Sequence, residues 1–334
     1  MQYVVGVDGG GTKTAAVVLS EDLAVVSSGI GGPANYRSVG IASASANIAD
    51  AISKAVRDAD IALSDVSVIC MCLAGFDTDL DLPVPQGAIR LLDYAGPVLM
   101  ENDVVGAWAG ATEAQAGVVI IAGTGSTGLG MNSRSELWRT DGWDYILGDS
   151  GSGYQIGQAG IRAAMQAFDG RVAPTLLARE LKHAYGVDDA EAMRRLVDST
   201  TFGKLEIASF ASHVARAAAD GDPSAQRILA HAGEELAAQA MAIITRLGME
   251  DDEFPVSTVG SVFKATPWVT DPFHLGIMRV APRVTFRPPV HPPEIGAAIL
   301  GLRRLREGDI GSWTLGTGRR RIQRSLTVEE VGHL

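Results

Sequence analysis

The chain has 334 residues, of which 46% are apolar and 20% are charged, and its formal net charge is −11. This composition excludes a disordered chain, and the acidic balance argues against a nucleic-acid partner. The length favours two domains. Since no window reaches the roughly 18 consecutive apolar residues that span a bilayer, and no signal segment opens the sequence, we expect a cytoplasmic protein without a membrane partner.

The first predicted elements are two strands joined by a glycine-rich turn. Residues 4–7 form an apolar run that ends at Asp8, and a second apolar run begins at residue 15. The turn between them consists of Gly9, Gly10, Gly11, Thr12, Lys13 and Thr14. Consecutive glycines permit positive φ angles, which turn N–H groups into an anion-binding concavity, and phosphate is the expected ligand. Because Asp8 would repel phosphate unless a divalent cation separated them, the stretch indicates a magnesium nucleotide, and a plain tight hairpin is the alternative.

The segment that follows alternates predicted strands and helices. Its pattern indicates strands at 23–27, 66–73 and 97–100, a turn-rich loop at 29–36, and helices at 41–60 and 104–115. The two cysteines, Cys70 and Cys72, lie in the strand at 66–73, where alternation directs both to one face. Packing in the core is therefore favoured over a redox or metal pair.

A second glycine turn repeats the opening plan about 114 positions later. The apolar run at 117–122 is followed by Gly123, Thr124, Gly125 and Ser126 and by an extended segment at 129–131. This turn also matches the dinucleotide fingerprint G-x-G-x-x-G, but that motif requires a helix directly after the turn, and no helical period follows. A second phosphate-type hairpin is favoured instead.

The second half of the chain is predicted to be largely helical. Helical periods occur at 156–168, 175–184, 190–197, 205–220, 223–247 and 294–305. A strand at 256–259 reaches Gly260 and Ser261, and 267–293 is predicted as a proline-punctuated loop with a strand near 277–280. The last stretch, 303–334, holds seven arginines against four acidic residues and is interpreted as a surface tail or an interface, with disorder as the alternative.

Six motifs occur in a fixed order along the chain. They are Asp8-Gly9-Gly10-Gly11-Thr12-Lys13-Thr14, Gly32-Pro33-Ala34-Asn35, Asn102-Asp103, Gly123-Thr124-Gly125-Ser126, Gly148-Asp149-Ser150-Gly151-Ser152-Gly153-Tyr154-Gln155-Ile156-Gly157, and Gly260-Ser261-Val262-Phe263. This series resembles the BadF/BadG/BcrA/BcrD-type ATPase family, and within it the N-acetylglucosamine kinases of the actin-like ATPase superfamily, over residues 3–305.

The resemblance implies an α/β fold with two actin-like (ribonuclease H-like) domains, each a five-stranded mixed sheet with helices, and a nucleotide cleft between them. The first domain is expected at 1–104 plus 294–306, the second, more helical domain at 105–293, and the arginine-rich tail at 307–334. The implied activity is ATP-dependent phosphoryl transfer to a hydroxyl of a hexose or amino sugar, in the first place N-acetylglucosamine or glucosamine. ATP and Mg²⁺ are the implied cofactors, and a small-molecule sugar is the implied partner. A homodimer is a further expectation, although the sequence does not give the oligomeric state.

The resemblance also assigns nucleotide-binding residues. The first hairpin, at 9–14, and the second, at 123–126, would bind phosphates, while Gly260 and Ser261 would form the turn on the adenosine side. Asp8 resembles the residue that holds magnesium, mostly through water.

Asp103 is the candidate catalytic base. It lies at a predicted strand-to-helix junction, where a rigidly held carboxylate could accept the proton of the acceptor hydroxyl. The structural alternative is that Asp103 caps the helix that follows.

Sugar recognition calls for planar side chains that donate and accept hydrogen bonds. The residues expected to bind the sugar are Asn35, Gly75, Asn102, Asp103, Thr124, Trp143 and Asp149. Asn35 could instead be a turn residue, Asp149 a helix cap and Trp143 a core residue. Ser150 stands where the family usually has glutamate, and the loss of that charge beside Asp149 leaves the sugar specificity open.

Three other functions make different demands on the sequence. An ATPase activator of an iron–sulfur dehydratase or reductase system needs cysteine ligands on exposed loops, whereas both cysteines here fall in a predicted buried strand. A ROK-type sugar kinase is expected to carry a cysteine-rich zinc motif, which the sequence lacks. A non-enzymatic, nucleotide-dependent actin-like protein would keep the hairpins but not Asp103, Asn35 and Asp149, so an enzyme is favoured.

Overall fold

The computed structural model describes residues 2–307, without the side chains of Asp79, Arg304 and Glu307. Two compact units are defined by internal contacts. The first consists of Met1–Gly117, Met131–Trp138 and Pro288–Leu334, and the second of Val118–Gly130 and Arg139–Arg287. The domain boundaries expected from the sequence stay a prediction, and the arginine-rich tail lies, from residue 308 onward, outside the described residues.

The described residues form ten β-strands and twelve α-helices. The strands are β1 (Tyr3–Gly9), β2 (Thr14–Ser20), β3 (Val25–Gly31), β4 (Val66–Leu73), β5 (Val98–Asn102), β6 (Gly117–Ala122), β7 (Ser126–Met131), β8 (Leu137–Asp141), β9 (Pro255–Val259) and β10 (Thr285–Phe286). The α-helices are α1 (Tyr36–Val39), α2 (Ile41–Asp58), α3 (Pro83–Leu92), α4 (Asp103–Thr112), α5 (Gly153–Phe168), α6 (Leu176–Tyr185), α7 (Ala190–Val197), α8 (Lys204–Ser209), α9 (Ala211–Ala219), α10 (Pro223–Leu247), α11 (Thr270–Val280) and α12 (Pro293–Glu307). Within residues 2–307, none of the helices combines the length and apolar composition that a membrane span requires.

The first sheet has the strand order β3-β2-β1-β4-β5. Strands β1, β2 and β3 pair antiparallel, whereas β1, β4 and β5 pair parallel. One face packs on α2 and α3 through a large apolar cluster, and the other face packs on α12. Because the parallel strands end at the same edge of the sheet, Asp8 at the end of β1 and Asn102 at the end of β5 lie on one edge.

The second sheet has the order β10-β9-β6-β7-β8, with β9 parallel to both β6 and β10. The predicted α/β class with two five-stranded sheets is confirmed. The core position of both cysteines is also confirmed, since Cys70 and Cys72 are fully buried in β4.

Several sequence expectations are wrong in detail. The strand expected near 277–280 belongs instead to helix α11, in which Phe273 and Ile277, four residues apart, are buried on one face. Gly276 lies between these two apolar residues. It lets α11 approach α10 closely, because a Cβ at this position would lie 2.7 Å from the Cβ of Ala237 in α10. The helix expected at 205–220 is divided into α8 and α9 at Phe210, and α1, α3 and β8 were not predicted.

Gly6 is required for direct packing of α12 on β1. A Cβ at this position would lie 2.2 Å from the carbonyl oxygen of Glu294 and 2.3 Å from the amide nitrogen of Ala298, and neither backbone atom can move without the helix. We expect Gly6→Ala to lower the free energy of unfolding by about 3 kcal/mol, at the upper end of the usual overpacking cost. Urea unfolding measures this change. Gly11→Ala is the matched control, because Gly11 has open space around it and no positive φ, and equal stability of the two variants would contradict the packing argument.

Candidate functional site

The β1–β2 hairpin presents the first glycine turn. The amide of Gly10 donates to the carbonyl of Lys13 at 3.0 Å, which closes the turn. The expectation of positive φ angles is wrong for Gly9, Gly10 and Gly11. Gly9 is needed for packing instead, since a Cβ there would lie 2.9 Å from the Cβ of Ala34 and 2.5 Å from the side chain of Leu73. The amides of Gly11 and Thr12 have no acceptor in the described part of the chain, so they are available to an anion.

Hydrogen bonds join this hairpin to the loop that carries Asn35. The Gly10 carbonyl accepts from the amides of Ala34 and Asn35 at 3.0 and 3.3 Å. The buried hydroxyl of Thr14 donates to the carbonyl of Gly32 at 2.7 Å. The position of the Asn35 loop is therefore set by the phosphate-type turn.

Asn35 and Gly75 lie side by side. The Oδ1 atom of Asn35 caps α1 by accepting from the amide of Arg37 at 3.1 Å, so its predicted turn role is real. Its side-chain NH₂ group donates to no described residue. Gly75 has a φ of 79°, and a Cβ there would lie 3.8 Å from Asn35 Oδ1. Absence of a side chain at Gly75 keeps the space in front of the Asn35 amide open.

Asn102 caps α4, and the helix-cap alternative for Asp103 is therefore wrong. The Asn102 Oδ1 atom accepts from the amide of Val104 at 3.1 Å, while its Nδ2 atom donates to the Phe76 carbonyl at 3.3 Å and to Asp77 Oδ1 at 3.2 Å. Its buried side chain is thus engaged within the protein. Asp103 is the half-buried first residue of α4.

Three carboxylates of the first unit interact electrostatically. Burial, followed by the negative charges of Asp103 and Glu294, raises the pKa of Asp8 from 3.8 to about 7, against the opposing effect of Lys13. Sequence patterns assigned no role to Glu294, whose one local signal is its place directly after two prolines at the start of a predicted helix. A cation would offset this accumulation of charge.

The protein alone does not offer a complete set of metal ligands within its described residues. In the described part of the chain, no three His, Cys, Asp or Glu side chains are arranged to hold a metal ion. Mg²⁺ usually keeps several waters and binds through one or two carboxylates together with substrate phosphates. The charge around Asp8 therefore fits a hydrated Mg²⁺ accompanied by a nucleotide.

The second glycine turn, between β6 and β7, is supported by the N-terminus of α5. The amide of Gly153 donates to the Gly123 carbonyl at 2.7 Å, and the amide of Tyr154 donates to the Thr124 carbonyl at 3.2 Å. Gly260, with a φ of 113°, lies against the same place, because a Cβ there would be 2.2 Å from the carbonyl oxygen of Ala122. The turn at Gly260 and the second glycine turn are thus brought together.

Asp149 holds the second glycine turn. Its Oδ1 atom accepts from the amide of Ser126 at 3.0 Å, and a Cβ on Gly125 would lie 2.6 Å from the same oxygen. The helix-cap alternative for Asp149 is wrong, because Ser152 caps α5. Asp149 has a φ of 60° and is buried.

Lys204 at the start of α8 is the partner of Asp149 that the sequence did not reveal. Its Nζ atom lies 3.0 Å from Asp149 Oδ2 and 3.3 Å from Asp144 Oδ1, and 5.1 Å from the centre of the Tyr145 ring. Burial disfavours the charged amine, but the hydrogen bonds and charges of Asp149 and Asp144 outweigh it and raise the pKa of Lys204. The 55-residue separation explains why no local pattern indicated this pair.

Asp141 and Gln239 fix the backbone around Ser150. Asp141 accepts from the amides of Asp149 and Ser150 at 2.7 and 2.9 Å. The Nε2 atom of Gln239 donates to the Ser150 carbonyl at 2.9 Å and to the Ser126 hydroxyl at 3.1 Å. The loop is therefore rigid without the glutamate that was expected at position 150.

Trp143 begins an exposed apolar loop, and the alternative of a core tryptophan is wrong. Its side chain is 45% exposed, and Ile146 and Leu147 are 76% and 81% exposed. An exposed aromatic ring can stack on the face of a sugar.

The chain matches a known protein family over most of its length. The model of the BadF/BadG/BcrA/BcrD ATPase family matches residues 5–301. The chain belongs to this family. The family resemblance expected from the six motifs is therefore confirmed, and membership implies the use of ATP.

Proteins with assigned activities are similar to this chain over 90% of its length. An N-acetylmuramic acid/N-acetylglucosamine kinase of Clostridium acetobutylicum is 31% identical over 300 residues, which are 90% of this chain and 98% of the relative. An N-acetyl-D-glucosamine kinase of Dictyostelium discoideum is 30% identical over 312 residues, with the same coverage of 90% and 98%. The crystal structure of a proposed N-acetylglucosamine kinase from Chromobacterium violaceum superposes with a TM-score of 0.74 at 26% identity, covering 90% of this chain and 99% of that one.

Proposed function

We propose that the protein is an ATP-dependent kinase that transfers the γ-phosphoryl group to a hydroxyl of an amino sugar, with N-acetylglucosamine and glucosamine as the favoured substrates. The observation that carries the proposal is the grouping of Asp103 with Asp8 beside an exposed glycine turn in the first unit. Relatives that are 30% and 31% identical over 90% of the chain are kinases of N-acetylated sugars, which supports the same substrate class.

The chemistry of phosphoryl transfer explains the roles of these groups. Its transition state is loose, so the protein mainly aligns the acceptor hydroxyl and stabilises charge on the phosphate oxygens. Asp103 is placed to accept the hydroxyl proton, and the free amides of Gly11 and Thr12 are placed to donate to phosphate oxygens. Mg²⁺, held near Asp8 through water, would neutralise charge on the phosphates when bound. In the second unit, the Gly123 amide donates to the Gly125 carbonyl and the Ser126 amide to Asp149, so Thr124 and Gly125 carry the amides that are left for phosphate oxygens.

The sugar-side residues divide into two groups in this proposal. Asn35 has a free NH₂ group next to the open space at Gly75, and Trp143 has an exposed ring, so both are suited to contact the sugar. The polar atoms of Asn102 and Asp149 are hydrogen-bonded to other protein groups. We therefore propose that Asn102 positions α4 and that Asp149 positions the second glycine turn.

The position of the cysteines favours a kinase over an iron–sulfur activator. Cluster ligands must reach the metal, whereas Cys70 and Cys72 are fully buried in the central strand β4. A cytoplasmic location and a homodimer stay predictions.

An ATP-consumption assay across hexoses and amino sugars tests the proposal. We expect ADP formation to be stimulated most by N-acetylglucosamine or glucosamine and less by glucose. If no sugar in the panel stimulates ADP formation above the sugar-free rate, the proposal is wrong.

Lys204→Met is expected to raise the KM for ATP by about tenfold, because a hydrogen bond to a charged group contributes roughly 1.5–3 kcal/mol and the buried Asp149 would lose its cation. Steady-state kinetics at saturating sugar measure the change. Lys204→Arg should restore most of the affinity, since it keeps the charge. Lys182→Met, which removes an exposed lysine paired with Asp188, is the control, and a similar KM in both methionine variants would contradict the role of Lys204.

A further inference from the structure

A cavity of about 860 Å³ lies in the second unit, away from the glycine turns described above. Residues on one face of α5 and one face of α10 line it, and the segment 172–174 closes one side. Its volume falls within the range of roughly 300–1,000 Å³ that small-molecule sites occupy. Of the sequence motifs, only the one that begins at Gly148 reaches this cavity, through Gly151 and Gln155, and neither of the arginines in its lining belongs to a motif.

The lining of the cavity suits an anion attached to a hydroxyl-rich molecule. Arg162 and Arg227 are exposed, and among the described residues neither has a carboxylate partner; Arg227 donates a hydrogen bond to the Ser224 hydroxyl at 3.0 Å. Planar guanidinium groups are well matched to phosphate. Gln158 and Gln166 add amide groups that donate to and accept from hydroxyls.

The acidic residues that line the cavity, Asp222 and Glu235, leave its arginines available to an anion. The buried Asp222 carboxylate accepts from the amides of Ser224, Ala225 and Leu176 and from the hydroxyl of Thr175, all at 2.6–2.9 Å. Its charge is therefore satisfied by protein donors. Glu235 lies 3.9 Å from a ring nitrogen of His231, which is itself part of the lining. The two arginines remain the cationic groups that a ligand can use.

We propose that this cavity binds a phosphorylated sugar and acts as a regulatory site. The proposal rests on the proposed function, in which a phosphorylated sugar is the product. The phosphate would lie between Arg162 and Arg227, and the sugar hydroxyls would face the glutamines. Because neither arginine belongs to a glycine turn, the site is separate from the groups assigned to catalysis.

Gln155 connects the cavity to the second glycine turn. Its side chain lines the cavity and bonds to the backbone of the loop that carries Asp149, accepting from the Gly151 amide at 3.2 Å and donating to the Gly148 carbonyl at 3.3 Å. Asp149 in turn holds the amide of Ser126. A ligand that draws the Gln155 amide toward itself would loosen this loop, so occupancy should lower the turnover rate.

Isothermal titration calorimetry tests the binding step. N-acetylglucosamine 6-phosphate and glucosamine 6-phosphate are titrated into the full chain in the presence of saturating N-acetylglucosamine and a non-hydrolysable ATP analogue, which fill the kinase site. We expect one equivalent of sugar phosphate to bind, and Arg162→Gln or Arg227→Gln to weaken it by about tenfold or more. Arg194→Gln, which removes an exposed arginine paired with Asp198 on α7, should bind like the wild type. Inorganic phosphate alone should bind at least tenfold more weakly than the sugar phosphate.

Kinetics test the regulatory step. Added sugar phosphate should inhibit the wild type without competing with the sugar, and each arginine variant, compared with its own uninhibited rate, should lose this inhibition. No heat of binding with the kinase site filled, equal binding by the arginine variants, or equal binding of inorganic phosphate would overturn the proposal. A second titration, without the ATP analogue, distinguishes failure of this proposal from failure of the kinase assignment. Loss of sugar-phosphate binding in Arg162→Gln can be measured even if no sugar is a substrate.

Discussion

Asp103→Asn is expected to lower kcat by about 10²- to 10⁴-fold, the usual contribution of a positioned general base. The amide keeps the size of the side chain and cannot take up the proton of the acceptor hydroxyl. Asp103 is the first residue of α4, and Asn102 rather than Asp103 caps that helix. The substitution should therefore leave the helix intact, and the KM values for ATP and sugar should change by no more than a few fold.

Steady-state kinetics on the purified variant measure this effect. Asp93→Asn is the control, because Asp93 is an exposed residue of the same unit with a left-handed backbone that asparagine tolerates. Full sugar-stimulated activity in Asp103→Asn would show that the base is misassigned. A loss of activity accompanied by a lower melting temperature would show instead that Asp103 is structural.

Asp8→Asn is expected to lower the activity of the protein and to raise its stability. The neutral amide cannot attract Mg²⁺, so we expect kcat/KM to fall by about 10²- to 10³-fold, the size of effect seen when one electrostatic contact to the transition state is removed. At the same time, the nucleotide-free variant should melt at a higher temperature than the wild type at pH 8, because it lacks a buried charge that two neighbouring carboxylates repel.

The pH dependence of that gain follows from the pKa of Asp8. Burial, together with Asp103 and Glu294, raises the pKa from 3.8 to about 7 in the folded protein. Between these values the unfolded state releases its proton while the folded state retains it, so the stability of the wild type falls as pH rises from about 4 to 7. The advantage of Asp8→Asn should be largest above pH 7 and should shrink toward pH 5. Differential scanning calorimetry at pH 5, 6 and 8, with Asp93→Asn alongside, checks this, and an advantage that grows toward low pH would contradict it.

Local patterns were sufficient for the parts of the fold that depend on neighbouring residues. The hairpin around Asp8, the buried strand with both cysteines and the long helix α10 were all expected from short-range periodicity, and the structure contains them. The motif order led to the correct family.

Features that depend on distant contacts could not be predicted in this way. Gly9 is fixed by the side chain of Leu73 and not by its own φ angle. Lys204 reaches Asp149 from 55 residues away, and Glu294 comes near Asp8 only because α12 packs on Gly6. Helix α11 was missed because the prolines of 267–293 indicated a loop, whereas Pro272 lies in the first turn of the helix, where a proline is tolerated.

The central claim is that the γ-phosphoryl group of ATP is transferred to a sugar hydroxyl. Mass spectrometry of the products, after incubation of the wild type with ATP, Mg²⁺ and N-acetylglucosamine or glucosamine, tests it most directly. We expect a sugar monophosphate that accumulates in equal amounts with ADP, and almost none with Asp103→Asn. ADP and free phosphate without any sugar phosphate, across all the sugars of the panel, would contradict the claim.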